Sequence, residues 1–176
     1  VWMALFILAM GLLTPSATPR AAAEDTEAGT RQFAVAVGFQ NQKLYEQAID
    51  EWATFIKKFP KDSRLDKAHH YLGTCHLQAK QYPAAIAAFE VVSKQFPKFE
   101  LLDQSLQNLG TAWYSLAQQS KKGDDYDKAE KAFNRLLEQF PKSPLAPRAL
   151  FYRGESLYQQ NKWDDATAKL VIDYVT

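Results

Sequence analysis

The sequence predicts an all-α chain in which about four helix-turn-helix units stack as a solenoid. Three observations predict it. Phe-Pro recurs at Phe59-Pro60, Phe96-Pro97 and Phe140-Pro141. A glycine follows each of those prolines by 13 residues, at Gly73, Gly110 and Gly154. An aromatic precedes each phenylalanine by 14 residues, at Tyr45, Tyr82 and Tyr126. Equivalent landmarks recur at intervals of 37, 44 and 37 residues. Periods of that size, with helical apolar spacing inside each unit, indicate two helices per unit and not strands.

At the start of the chain, Val1 to Leu13 are continuously apolar or glycine, and Ala21-Ala22-Ala23 precede the acidic Glu24. A short apolar run followed by an A-x-A site is the layout of a secretory signal peptide cleaved after Ala23. The run is shorter than the 20 or so residues a spanning helix needs. The chain opens on Val1 with no basic n-region. The alternative is therefore an uncleaved membrane anchor, with missing upstream residues lengthening the run. Residues 24–30 are polar and small, and read as a linker. The repeat domain is assigned to residues 31–176. Its first stretch, Phe33 to Val37, alternates like a strand, but helix fits the downstream phase, with Gly38 and Ala48 at repeat positions.

Within the units, small and large residues keep step. Ala48, Trp52 and Phe55 lie at i, i+4 and i+7, as do Ala85, Phe89 and Val92, and Ala129, Phe133 and Leu136. Each triplet is one apolar stripe on a helix. The Gly and Ala are small so that the two helices of a unit can approach, and the large ring fills space between units. Each proline ends the second helix, because it lacks an N–H and disfavours helix in the residue before it. Ser143-Pro144 reads as an N-cap and first-turn proline, and Ser63 with Asp66 as a capping box. The third unit carries seven extra residues including Lys121-Lys122-Gly123-Asp124-Asp125. They should lengthen its first helix and project a charged loop. The fourth unit reads Gly154, Ala166, Leu170 and then Asp173, and its matching phenylalanine would be residue 177. The C-terminus is read as a truncation inside the last helix.

The W/Y-x-x-L-G…Y-x-x-A…F…P layout resembles the tetratricopeptide repeat, over about residues 31–176. Phe59-Pro60, Ser63, Ala68 and Tyr71-Leu72-Gly73 are similar to the subgroup found in bacterial envelope proteins. That subgroup includes an accessory lipoprotein of outer-membrane barrel assembly and a periplasmic coordinator of the Tol–Pal system. The resemblance implies a right-handed solenoid, exported to the periplasm or cell envelope, that binds protein or peptide partners in a concave groove. No lipidation cysteine follows the apolar run, and no coiled-coil heptads precede the repeats.

Composition narrows the function further. Hydrophobic residues make up 47% and charged residues 23% of 176, which excludes global disorder. Lys and Arg number 21 against 20 Asp and Glu, and removal of residues 1–23 leaves the charges balanced. A neutral body without basic blocks argues against nucleic acid as partner. The single Cys75 forms no intrachain disulfide. No catalytic or cofactor motif is present. His69, His70, Cys75 and His76 form the one cluster of metal-ligand character. His69 and His76 are separated by about 10 Å of helical rise, too far for one zinc, and occupy packing positions. No metal, cofactor or catalytic residue is assigned.

The reading is a non-catalytic scaffold. The alternative is the targeting and interaction module of a larger secreted or membrane-anchored enzyme whose catalytic part lies elsewhere. Self-association through the solenoid ends is a third reading. The groove is assigned to positions three before, one after, and four to five after each glycine. Those are His70, Thr74, Leu77 and Gln78; Gln107, Thr111, Tyr114 and Ser115; and Phe151, Glu155, Tyr158 and Gln159. Tyr114, Phe151 and Tyr158 place large rings where packing within the repeats does not call for them.

Overall fold

The structure, a computed structural model, describes residues 26–162. The expected leader, the start of the expected linker and the expected second helix of the fourth unit lie outside the described residues. Those described form seven helices: α1 Glu27–Asn41, α2 Tyr45–Lys58, α3 Leu65–Gln78, α4 Tyr82–Gln95, α5 Leu102–Ser120, α6 Gly123–Gln139 and α7 Ala146–Gln159. Each packs on the next in chain order. In addition α3 touches α5 and α5 touches α7, whereas no pair of even-numbered helices makes comparable contact among the described residues. The odd helices therefore line the tighter, inner side of a helical solenoid. The Phe33–Val37 stretch is helical, inside α1.

The repeated Phe-Pro works as the spacing requires. Phe59, Phe96 and Phe140 cap α2, α4 and α6 with nearly the same backbone, φ/ψ of −124°/58°, −123°/61° and −132°/57°. The proline that follows each one keeps it out of the helical region. A turn then closes on the Phe carbonyl, accepting from Asp62, Phe99 and Ser143 at 3.1, 3.0 and 2.9 Å. One joint geometry is thus used three times.

The glycines make room for rings. A Cβ on Gly73 would lie 2.9 Å from the Phe89 ring, and one on Gly110 would lie 2.5 Å from Phe133. Both rings are fully buried. Phe89 reaches across to Leu109 and Ala112 of the next unit, and Phe133 stacks on Tyr152 at 5.7 Å. Burial of each such side chain stabilises the stack by about 1.5–3 kcal/mol. Gly38 does not share this role, since nothing lies within 4 Å of where its Cβ would be. Ala36, fully buried and 16 residues before Trp52 as Gly73 is before Phe89, holds the matching position. The first unit is therefore in phase two residues earlier than the glycine suggests.

Four local expectations are corrected. Residues 27–30 are the first turn of α1 and not linker, because the Thr26 hydroxyl accepts from Gly29 N at 3.0 Å and caps it. Helix α3 starts at Leu65, with Arg64 and not Ser63 at its N-cap and no side-chain cap bond from that residue. The Asp62 carboxylate instead takes the Arg64 N–H at 3.0 Å and clamps its guanidinium at 2.8 and 2.7 Å. Helix α7 starts at Ala146, with Pro147 in its first turn; Ser143 accepts from Leu145 N at 3.2 Å in the preceding turn and donates to Asp103 at 2.6 Å. The seven extra residues lengthen both helices of the third unit, to 19 and 17 residues against 14 each in the second. Only Lys121 and Lys122 connect them. Asp125, expected in a loop, is buried in the first turn of α6 and accepts from Ser120 Oγ at 2.8 Å.

Candidate functional site

The inner face is built by α3, α5 and α7, and the 12 positions assigned to it fall into three groups. His70 and Gln107 are buried, at 4% and 3% exposed, because the next inner helix covers this position. They belong to the joints between units and not to an open surface. Thr74, Leu77, Thr111, Tyr114, Ser115 and Glu155 are half-buried. Thr74 and Thr111 donate to the carbonyls of His70 and Gln107, both at 2.9 Å, so their hydroxyl protons are already used. Leu77 packs against the cluster of Ala85, Phe89 and Leu109 and supports the core. Gln78, Phe151, Tyr158 and Gln159 are exposed.

His70 shows how a covered joint is completed. Its Nδ1 lies 2.8 Å from Ser105 Oγ, and Ser105 gives its one proton to the Leu101 carbonyl at 2.9 Å. The imidazole must therefore donate at Nδ1. Burial pushes its pKa down to about 4, opposed by the Asp103 carboxylate, so the ring is neutral near pH 7. His69 is half-buried with its ring 6.1 Å from Phe96, and burial lowers its pKa too. The His76 Nδ1 meets Gln81 at 2.7 Å. Each histidine is thus occupied in packing or hydrogen bonding. Cys75 is fully buried, and burial raises its thiol to about 11, which keeps it protonated and unreactive.

The exposed rings cluster on α7. Phe151 and Tyr158, at 58% and 51% exposed, lie seven residues apart on one face. Phe151 holds the repeat position that His70 and Gln107 hold earlier, yet no described residue covers it. Tyr114 of α5 is nearby but more constrained, edge-on to Tyr126 at 5.6 Å and to Tyr152 at 5.4 Å. Its hydroxyl pKa is raised, first by burial and then by the Glu155 charge, so it remains a hydrogen-bond donor at neutral pH.

Tyr152 is the residue that sequence reasoning missed. It touches Tyr114, Phe133 and Phe151 and ties the buried array to the exposed one. The available signal was a tyrosine two residues before the glycine, at Tyr71 and Tyr152, each stacked on the large ring of the preceding unit.

No helix among the described residues is long and apolar enough to cross a membrane. No curated protein matches the chain. A tetratricopeptide-repeat family model matches residues 36–98 and 114–170, more than half of the sequence. Such repeats are protein–protein interaction modules and typically non-catalytic scaffolds. With its stacked helix pairs, glycine-seated rings and recurrent Phe-Pro joints, the chain belongs to the tetratricopeptide-repeat family.

Proposed function

We propose that the chain is a non-catalytic scaffold of the bacterial cell envelope that binds an apolar-anchored segment of a partner protein along α7. The observation that carries this reading is the pair Phe151 and Tyr158, 58% and 51% exposed and seven residues apart on one face of α7, with Tyr114 joined to Phe151 through Tyr152. A partner helix or extended strand laid beside α7 would bury both rings. Aromatic side chains supply large contact area at low entropic cost and are enriched among binding hot spots. The envelope assignment rests on the apolar run Val1–Leu13, the Ala21-Ala22-Ala23 site and the resemblance of the Phe59–Gly73 segment to envelope tetratricopeptide proteins.

The test is capture from envelope extract. Expressed in a bacterial host, the protein is expected in the periplasm with Glu24 at its N-terminus. The Phe151→Ala/Tyr158→Ala variant should lose the partners that wild type retains, while keeping its helical circular dichroism. Both substituted rings are exposed, so this pair gives a cleaner test than a triple variant that also cuts the packed Tyr114. Equal capture by both proteins would refute the surface. An intact leader in the membrane fraction would refute the exported form.

A further inference from the structure

Helices α4 and α6 make little direct contact, so a gap opens between them on the outer side of the solenoid, with α5 as its floor. The gap measures about 530 Å³, and Leu106, Leu109 and Trp113 of α5 line it from below. Its walls carry four cations, Lys94 on α4 and Lys128, Lys131 and Arg135 on α6, against the single carboxylate of Glu90. That imbalance is local, in a chain whose net charge is +1. It is also peculiar to this unit. The cations of α6 stand five before, two before and two after Phe133, and the same places around Phe89 in α4 are Ala84, Ala87 and Val91. Packing of the repeat therefore does not call for them. Lys131 and Arg135 are moreover like charges four residues apart on one helix, an arrangement that costs stability.

Each cation is held at a different point. Lys94 pairs with Glu90 at 2.7 Å and Lys131 with Asp127 at 2.6 Å, both along their own helices and exposed. Lys128 lies 4.3 Å from the centre of the Trp113 ring and 3.4 Å from Asp125. Arg135 donates to the Ser93 carbonyl at 2.8 Å and has no carboxylate partner among the described residues. Exposed ion pairs hold weakly, so the lysines can turn to a partner's carboxylates at little cost. Four charges anchored apart do not converge on one point, as a cradle for a single phosphate does. They suit an anion whose charges are spread. Lys128, Lys131 and Arg135 keep the i, i+3, i+7 spacing of one helix face, about 10 Å of rise, and carboxylates at that spacing on a second helix would match them. We propose that the gap between α4 and α6 is a docking groove for an acidic helix of a partner protein. Its carboxylates pair with the cations of α6 and with Lys94, and an apolar side chain between them meets Trp113. Arg135 is the anchor, because a guanidinium takes a carboxylate through two parallel hydrogen bonds. No residue of α7 takes part, so this is a second surface, independent of Phe151 and Tyr158.

The probe is an acetylated, amidated peptide of two Glu-Leu-Ala-Glu-Glu-Ala-Leu units, titrated into the 15N-labelled full chain while the Trp113 indole N–H signal is followed. Wild type should show a saturable shift that weakens as salt is raised. Arg135→Gln keeps a donor for the Ser93 carbonyl, removes the charge, and should weaken the peptide about tenfold. Lys131→Gln alters only an exposed side chain, so its effect is not one of folding, and should weaken it about twofold. The proposal is overturned by the absence of a saturable shift in wild type, or by undiminished affinity in either variant. Equal binding of the peptide with Gln in place of every Glu overturns it too. An equal response to inorganic phosphate at matched ionic strength would mark a simple anion site, and tighter binding of phosphatidylglycerol vesicles a membrane surface; either removes the acidic helix. Loss of the peptide in Phe151→Ala/Tyr158→Ala would place it on α7, leaving the aromatic surface standing and removing the groove alone.

Discussion

Gly110→Ala adds one methyl group where the Phe133 ring closes on α5. The new carbon would stand 2.5, 2.6 and 2.7 Å from three atoms of the Phe133 ring. Carbon atoms in contact prefer about 3.5–4.0 Å, so the methyl arrives about 1 Å too close. The ring has little room to withdraw, being fully buried and stacked on Tyr152 at 5.7 Å. Overpacking of this type costs about 1–3 kcal/mol, while replacing glycine by alanine in a helix returns up to about 1 kcal/mol. The expected net effect is a loss of about 1–2 kcal/mol, since a wedged ring puts the cost in the upper part of that range. Gly38→Ala is the matched control. It makes the same chemical change inside α1, with nothing within 4 Å of the added carbon and no positive φ. It should stabilise by about 0.5–1 kcal/mol. Thermal unfolding followed by helical circular dichroism reads both, at about 2–4 °C per kcal/mol for a chain of this size. Phe133→Leu in the Gly110→Ala background should recover part of the loss by giving the methyl space. If Gly110→Ala proves as stable as wild type, the glycine–ring account of the repeat is wrong.

Two further outcomes follow from the joints and turns. His70 has a pKa lowered to about 4 in the folded chain, so the unfolded chain binds more protons between that value and the ordinary 6.5. Stability should therefore hold above pH 6.5 and fall as pH drops toward 4, by up to about 3 kcal/mol from this residue; His69 adds to the fall, and urea midpoints measured across that range should flatten in His70→Asn. Lys80 occupies the left-handed region at φ 60° in the turn between α3 and α4, where a Cβ is strained. Lys80→Gly should gain about 0.5–1 kcal/mol in a urea titration, and a loss would show that the lysine side chain contributes something its backbone does not reveal.

The repeat was readable because its landmarks are dictated by hard constraints. Phe-Pro must end a helix, and a ring the size of Phe89 leaves no room for a Cβ at Gly73. Where the constraint is softer, the sequence misleads. Gly38 looks like a landmark, but Ala36 is small enough for the joint under Trp52, and only packing shows which of the two is used. Ser63 and Ser143 are good cap residues by type. Yet Asp62 with Arg64 closes one turn and Asp103 engages Ser143 in the other, through partners that lie elsewhere in the fold. The exposure of the inner face was legible only in part for the same reason. A position three before the glycine is inner-facing by phase, but whether a neighbouring helix covers it depends on the next unit. His70, Gln107 and Phe151 share that phase, yet the first two are buried and Phe151 is exposed.

The lengthened hairpin of α5 and α6 bears on how such a chain can vary. Its extra length is split between the two helices, five residues in α5 and three in α6, with one residue fewer in the connection. Both additions stand at the tip, since the spacings from Pro97 to Gly110 and from Tyr126 to Phe140 match those of the second unit. Ala129 and Phe133 therefore keep the buried face they occupy in the shorter units. The hairpin can thus be extended at its tip while the joints at its base stay unchanged. Its tip, Lys121 and Lys122, is free to change its height above the stack, like a piston.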